Sequence, residues 1–363
     1  MKRTLILSTS IVSLFAAAAP AFAQQADDVV IVTATKRAQS IQDVPIAVTV
    51  ISPAQLEDQG VVNIQNLSSV APSFSTSSAQ TSSGTVVLRL RGVGTTSNNI
   101  GFESAVGIFI DGVYQSRPGI ALGEFVDVER VEVLRGPQGT LFGRNTSAGA
   151  LNITNVRPDL EETSGFINAT YGNFDHTSLQ GAVNIPLAEG KVAARLTGAI
   201  RNRDGFLDVV DRNGDALGET NEIDQYLLRG QVGFEGESGI NGRVIVDYTK
   251  SDASCCGAVE ILRSGVESAG LFAAVGLGPR GGMAGATVAT DPLDNSTAED
   301  ALSDLTATSN QVPTNETDQW GVSVEVEVPL TENVNATYIG SYRDYDNENG
   351  YDSAFSGLDI FNV

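Results

Sequence analysis

Residues 128–153 read VERVEVLRGPQGTLFGRNTSAGALNI. Charged and apolar residues alternate from Val128 to Leu134 as in a strand, and the strand runs into a segment with glycines at 136, 139, 143 and 149. A strand that feeds a glycine-rich loop is the usual setting of a phosphate cradle. A P-loop, however, needs G-x-x-x-x-G-K-[ST], with backbone N–H groups around the phosphates and a lysine for the outer ones. Here the glycine spacing is wrong, the lysine is missing, and Pro137 removes one N–H from the cradle. Gly92-Val93-Gly94 opens a G-x-G-x-x-G pattern, but Ser97 stands where its third glycine belongs. Neither nucleotide motif is met. The glycines are left to tight turns and close backbone packing.

The N-terminus sets the compartment. Lys2 and Arg3, an apolar run over 5–19 and the small-x-small site Ala21-Phe22-Ala23 read as a secretory signal peptide, residues 1–23. The run falls short of the ~20 residues that a membrane-spanning helix needs. Its removal takes two of the 22 basic residues and none of the 44 acidic ones, leaving a net charge of −24. A chain this acidic repels nucleic acid and anionic surfaces, which excludes nucleic acid as a partner. With 38 glycines and few aromatic residues, a helix bundle is disfavoured. Cys255 and Cys256 are the only cysteines and are adjacent, so no disulfide framework holds the fold; their spacing leaves pairing or soft-metal binding open.

Two unlike halves follow. Asp27–Arg37, DDVVIVTATKR, is a β-branched run that could add a strand to another protein's sheet or serve as the first strand of the next domain. Over 40–157 the pattern is mixed α/β. Val44–Ile51 reads as a strand, Ser52-Pro53-Ala54-Gln55 as the capped start of a short helix closed by Gly60, and Asn63 as the cap of a second helix through Val70. Strand-like runs follow at Val86–Leu90 and Val106–Tyr114, the latter broken by the turn dipeptide Asp111-Gly112.

From Gly165 onward the period is two. Val192, Ala194, Leu196, Gly198 and Ile200 share one face, and Arg195, Thr197 and Arg201 the other. Tyr226, Leu228, Val232 and Phe234 oppose Gln225, Arg229, Gln231 and Glu235; Trp320, Val322, Val324, Val326 and Val328 oppose Ser323, Glu325 and Glu327. About seven such segments occur, at 165–174, 177–188, 191–203, 224–236, 241–250, 317–330 and 332–346, most of them at or beyond the ~9 to 11 residues of a tilted membrane strand. Short links at Asp175-His176, Glu189-Gly190, 237–240 and Thr331 contrast with long ones at 204–223 and 251–316. Short turns on one side and long polar loops on the other are the habit of outer-membrane barrels.

Catalytic chemistry finds little to work with. His176, the only histidine, lies in an expected turn, so neither a Ser-His-Asp arrangement nor a His-rich zinc site has its parts, and no enzyme is expected. Asp211, Asn213, Asp215, Glu219 and Glu222 repeat much of a calcium-loop spacing, but Ala216 replaces the glycine and the flanks are strands. An acidic outer loop is the plainer reading.

The chain resembles the N-terminal part of a TonB-dependent outer-membrane receptor. Asp28, Val29, Val30, Ile31 and Val32, followed by Thr33-Ala34, resemble the TonB box. Phe109-Ile110-Asp111-Gly112-Val113-Tyr114 resembles a plug strand pair, and Val131–Pro137 with Leu141-Phe142-Gly143 and Gly149–Ile153 resembles the most specific plug signature. The resemblance implies a mainly β protein: a TonB box and linker over 24–39, an α/β plug over 40–157, and over 158–363 the first strands of an antiparallel transmembrane barrel. Such transporters have 22 strands with a plugged lumen. With about seven strands the chain is expected to be a fragment, because a remnant would leave open edges in lipid; no pore is expected from it alone. The short spacer before the box implies no added signalling domain.

The resemblance also implies TonB, with ExbB and ExbD, as the energising partner, outer-membrane lipid as surroundings, a small-molecule ligand and no cofactor. A ferric siderophore is the expected ligand, with oligosaccharide, cobalamin or haem as alternatives; a non-transporting surface β-protein is the competing class. Arg91 and Arg135 match plug arginines that pair with barrel carboxylates. Ligand contacts are expected on Thr95, Thr96, Ser97, Asn98 and Asn99 and on Gln115, Ser116 and Arg117.

Overall fold

A computed structural model describes residues 31–33, 35–37, 39–79, 82–94, 103–117, 125–188, 190–211, 214–254, 305–309 and 311–350. The expectations for residues 1–30, Thr95–Asn99, Asn213, Cys255 and Cys256 lie outside these.

The N-terminal unit contains β1 (Ile31–Val32), β2 (Gln39–Ser40), β3 (Val48–Ile51), α1 (Pro53–Asp58), β4 (Phe74–Ala79), β5 (Ser82–Leu90), β6 (Val93–Gly94), β7 (Val106–Ile110), β8 (Val113–Gln115), β9 (Val128–Arg135), α2 (Gly139–Phe142) and β10 (Gly149–Asn155). Strands β3, β9, β10, β7 and β8 form one sheet in that order, with β10 antiparallel to β9 and parallel to β7. The quoted stretch supplies two of its three inner strands and their link. All residues of β10 are buried, because both of its faces are covered. Val131, Val133, Leu151 and Ile153 pack with Ile51, Leu67 and Phe74; Leu134 and Ala150 pack with Val32, Phe109 and Phe142.

Local signals explain the short elements. Ser52 caps α1 through a full capping box, with Gln55 N–H donating to Ser52 Oγ at 3.3 Å and Ser52 N–H to Gln55 Oε1 at 3.1 Å. The strand expected from Val44 begins only at Val48, since Pro45 has no N–H to donate. The second helix, Ile64–Ser69, is a 3-10 helix capped by Asn63. Asn66, Ser68 and Ser69, polar residues of weak helix propensity, make up half of it, which suits a short tight turn better than an α-helix. Asp111-Gly112 makes the β7–β8 turn as expected.

The remainder builds β11 (Ser164–Tyr171), β12 (Thr177–Ala188), β13 (Val192–Arg203), β14 (Leu207–Val210), β15 (Ala216–Thr220), β16 (Ile223–Glu235), β17 (Asn241–Ala253), β18 (Thr306–Thr308), β19 (Thr314–Thr331) and β20 (Val334–Gly350). Seven of these, β11-β12-β13-β16-β17-β19-β20, form an antiparallel sheet whose members match the alternating segments of the sequence. Leu196, Ile200, Leu228, Val246, Trp320 and Tyr342 stand exposed on its outward face, the apolar surface that lipid would cover. No helix among the described residues is long and apolar enough to cross a membrane.

Two features depart from the sequence reading. The interval read as a loop from 204 to 223 contains β14 and β15, and β14 pairs in parallel with the distant β18. Nothing local announces these short strands, because their partner is remote in sequence. The short link at Asp175-His176 also lies at the end of the sheet that carries the long loops: Asp204 N–H donates to Phe174 O at 2.9 Å, and Phe174 meets Phe206.

Gly149 has φ +152, and a Cβ there would be driven into the Leu134 carbonyl and the Leu90 side chain. Gly149→Ala is expected to destabilise the protein by about 1–3 kcal/mol. Gly139, which opens α2 with free space around it, should accept alanine with no loss and a gain of up to about 1 kcal/mol. Thermal unfolding of the two variants in detergent micelles checks the pair; equal midpoints would show that Gly149 carries no packing constraint.

Candidate functional site

Inward-facing residues of the wall meet the N-terminal unit through charge. Asp127, just before β9, has φ +58 and turns its carboxylate onto the wall. Arg195 Nε donates to its Oδ2 at 2.7 Å and Arg195 Nη2 to its Oδ1 at 2.5 Å, while Thr197 Oγ1 donates to Oδ2 at 2.7 Å. Asp111, in the β7–β8 turn, accepts from Arg243 Nη2 at 2.8 Å and from Asn155 N–H and Nδ2 at 3.1 and 2.6 Å. Arg243 also donates to Glu325 at 2.9 Å, which Arg157 reaches at 2.7 Å. These carboxylate–guanidinium bonds are charge-assisted, and at the two aspartates both partners are buried.

The connecting segment is stitched down as well. Buried Asn184 on β12 donates to the carbonyls of Asp159 and Glu162 at 2.8 and 2.7 Å and accepts from Asp159 N–H at 3.0 Å. Backbone N–H donors of Glu161 and Glu162 hold the exposed Asp159 carboxyl below its ordinary range. This turn is therefore tightest at neutral pH and loosens as acid protonates the group.

A second polar cluster fastens the N-terminal segment. Glu132, at the centre of β9, is 0% exposed. Its Oε1 accepts from Thr33 N–H at 2.8 Å and Arg130 Nε at 2.9 Å, and its Oε2 from Asn152 Nδ2 at 3.1 Å. Asn152 Nδ2 also donates to Thr33 Oγ1 at 3.0 Å. Val32 is wholly buried beside Phe142, and Lys36 Nζ lies 4.8 and 4.3 Å over the rings of Phe109 and Phe142. Burial pushes the Lys36 ammonium below 10.5, so this docking strengthens as pH rises toward that value. The segment read as either a strand-adding peptide or a first strand thus has its second half, from Val32, docked; Ile31 remains exposed.

The other residues read from the sequence lie apart from these ties. Arg91 is exposed in the β5–β6 turn, and Arg135 Nε reaches only the Ala47 carbonyl, at 3.4 Å. Neither meets a carboxylate of the wall among the described residues. The two ties at Asp127 and Asp111 have the opposite polarity, with carboxylates on the N-terminal unit and guanidiniums on the wall, whereas Arg157 to Glu325 runs the other way. Gln115 is 4% exposed and its amide donates to Val113 O at 3.1 Å, so it faces an internal cavity rather than solvent. Ser116 is exposed and Arg117 half-buried. Asp211 and Asp215 close a turn on each other, with Asp215 N–H donating to Asp211 Oδ1 at 2.9 Å. Glu222 N–H instead donates to Ser254 Oγ at 3.2 Å, and no carboxylate cluster able to hold a metal occurs among the described residues. His176, in its turn, lies 3.1 Å from the Asn202 carbonyl.

An internal plug sheet tied to the inner face of an antiparallel wall defines the class: a plug domain seated against part of a β-barrel. The profile of the TonB-dependent Receptor Plug Domain matches residues 40–150. The Pesticin receptor of Yersinia pestis is 29% identical over 201 residues, covering 54% of this chain and 29% of that protein. The Ferripyoverdine receptor of Pseudomonas aeruginosa is 25% identical over 191 residues, covering 50% of this chain and 22% of that one. Among solved structures, the ferric yersiniabactin uptake receptor FyuA from Yersinia pestis superposes with a TM-score of 0.66 at 18% identity, over 85% of this chain and 42% of that one. Residues 40–150 thus carry the plug domain of the TonB-dependent receptor family. The matched stretches cover less than a third of the length of these curated relatives.

Asp127→Ala would leave Arg195 buried without its carboxylate, at a cost of about 3–5 kcal/mol. Arg91→Ala, at an exposed turn, should stay within about 0.5 kcal/mol. Limited proteolysis and thermal unfolding read both; a silent Asp127→Ala would remove the charge tie from the account of how the plug is held.

Proposed function

We propose that the protein acts as an outer-membrane receptor for TonB-coupled uptake of a ferric siderophore, with the plug gating the barrel. The supporting observation is the polar joint. A plug held by a few buried charge pairs, rather than by an apolar interface, can be released and reseated without exposing a hydrophobic core. Relatives named as receptors for pesticin and ferripyoverdine, and a structural neighbour that takes up ferric yersiniabactin, favour iron chelates as cargo.

In this reading the ends of the sheet with short turns face the periplasm and the ends with long loops face outward. Ligand contacts fall to the outer loops, including Thr95–Asn99 and Ser116-Arg117. Asp28–Val32 pair edge to edge with TonB, energised by ExbB and ExbD, once Ile31 and Val32 leave Gln39 and Ser40, and tension enters the plug through Thr33 and Glu132. Arg91 and Arg135 would pair with barrel carboxylates beyond the described wall.

Val30→Pro removes a ladder donor from the box. In cells producing the full-length receptor, it should leave binding of the iron-loaded siderophore unchanged and lower uptake to the level of cells without TonB. Normal transport by this variant would rule out the assigned box.

A further inference from the structure

The guanidiniums of the wall are arranged in a way that closing the barrel does not require. Thr197, Arg229, Asp247, Gly321 and Arg343 are successive register partners across β13, β16, β17, β19 and β20, so they form one transverse row on the inner face. Arg343 lies flat across Gly321, where a Cβ would come within 2.8 Å of its Cζ, and grips Asp247 with two bonds of 2.7 and 2.8 Å. Arg195, in the next inward row, and Arg243, in the row after it, hold the plug carboxylates.

Arg229, on β16, makes no hydrogen bond to a carboxylate among the described residues, although Asp111, Asp127 and Asp247 act on its charge from a distance. It is 7% exposed, and among the described residues its hydrogen bonds are two long ones, 3.4 Å each, to the Val126 carbonyl. It lines a cavity of about 80 Å³ between plug and wall, together with Asp111, Gln115, Asp247 and Arg343. That volume holds about two or three waters, not a chelate. A buried guanidinium with most of its donors unused is costly, and the free donors are open to oxyanions that enter the cavity. Without the plug, this level of the wall keeps Arg195, Arg229, Arg243 and Arg343 against Asp247 and Glu325. A strongly acidic protein is therefore basic at the place where its plug sits.

We propose that this face of the wall is a transit site for anionic cargo. Once the plug shifts, oxyanions of the cargo take over the guanidiniums that Asp127 and Asp111 occupy when it is seated, with Arg229 as the bridging position. The inference rests on the uptake reading and narrows its cargo to ferric chelates of net negative charge.

The test compares Arg229→Gln and Arg229→Lys with the unaltered full-length receptor, in cells supplied with a radio-iron tricatecholate (anionic) or trihydroxamate (neutral). Arg229→Gln should lower uptake of the anionic chelate about tenfold, the effect of one charge-assisted bond. Surface binding and uptake of the neutral chelate should hold, and Arg229→Lys should restore most of the loss. Equal losses on both chelates, or none, would overturn the proposal. If Arg229→Gln fails to accumulate in the outer membrane, Asp247→Asn decides. Removing a wall carboxylate should raise the anionic-to-neutral uptake ratio roughly threefold, and a ratio that stays or falls overturns the idea. Uptake of neither chelate by the unaltered protein would remove the uptake reading as well, whereas preference for the neutral chelate would remove this inference alone.

Discussion

The structure depends on how a buried carboxylate is satisfied. Asp127 leaves water on the inner face of the wall and is met there by one guanidinium and one hydroxyl, with short bonds to both oxygens. Burying an unpaired charge is prohibitive, so the depth and rotation of the plug are fixed by where those donors stand. Asp111 repeats the device one strand pair away, and Asn155 joins it to the sheet. Because β9 pairs with β10, Asp127 and Asn155 lie at one end of the same sheet, and both ties act on that end.

A chain of contacts links this joint to the N-terminal segment. Glu132 lies within the strand that begins beside Asp127, and it bonds to Thr33 on one side and Asn152 on the other. Force or displacement at residue 33 therefore reaches a strand anchored at its far end to the wall. The opening glycines belong to the same machinery: the segment they shape places Phe142 under Lys36.

Much of this could be read in the sequence because the governing patterns are local. Strict alternation in the wall strands placed Arg195 and Arg229 opposite the lipid face, and the capping box at Ser52 was visible as four residues. The ties were missed for a physical reason: Asp127 and Arg195 are 68 residues apart, and only the register of several strands brings them together. A usable signal was present all the same. Arginines at mid-strand on an inward face are costly to leave unpaired, and their number pointed to acidic partners on whatever fills the lumen. Arg91 and Arg135 drew attention through family likeness, whereas the ties observed follow from burial.

The small sheet of β14, β15 and β18 has a further consequence. Thr220 Oγ1 donates to Ser254 O at 3.0 Å, and Thr306–Thr308 pair with Asp208–Val210. The chain thus leaves at residue 254 and returns at 306 beside one and the same hairpin. The two ends of the intervening span are fastened independently of its contents. Lengthening such a span costs little, about 0.6 kcal/mol for each doubling. The long-loop end of the wall can accordingly diversify by insertion and deletion while the wall and its joint stay unchanged.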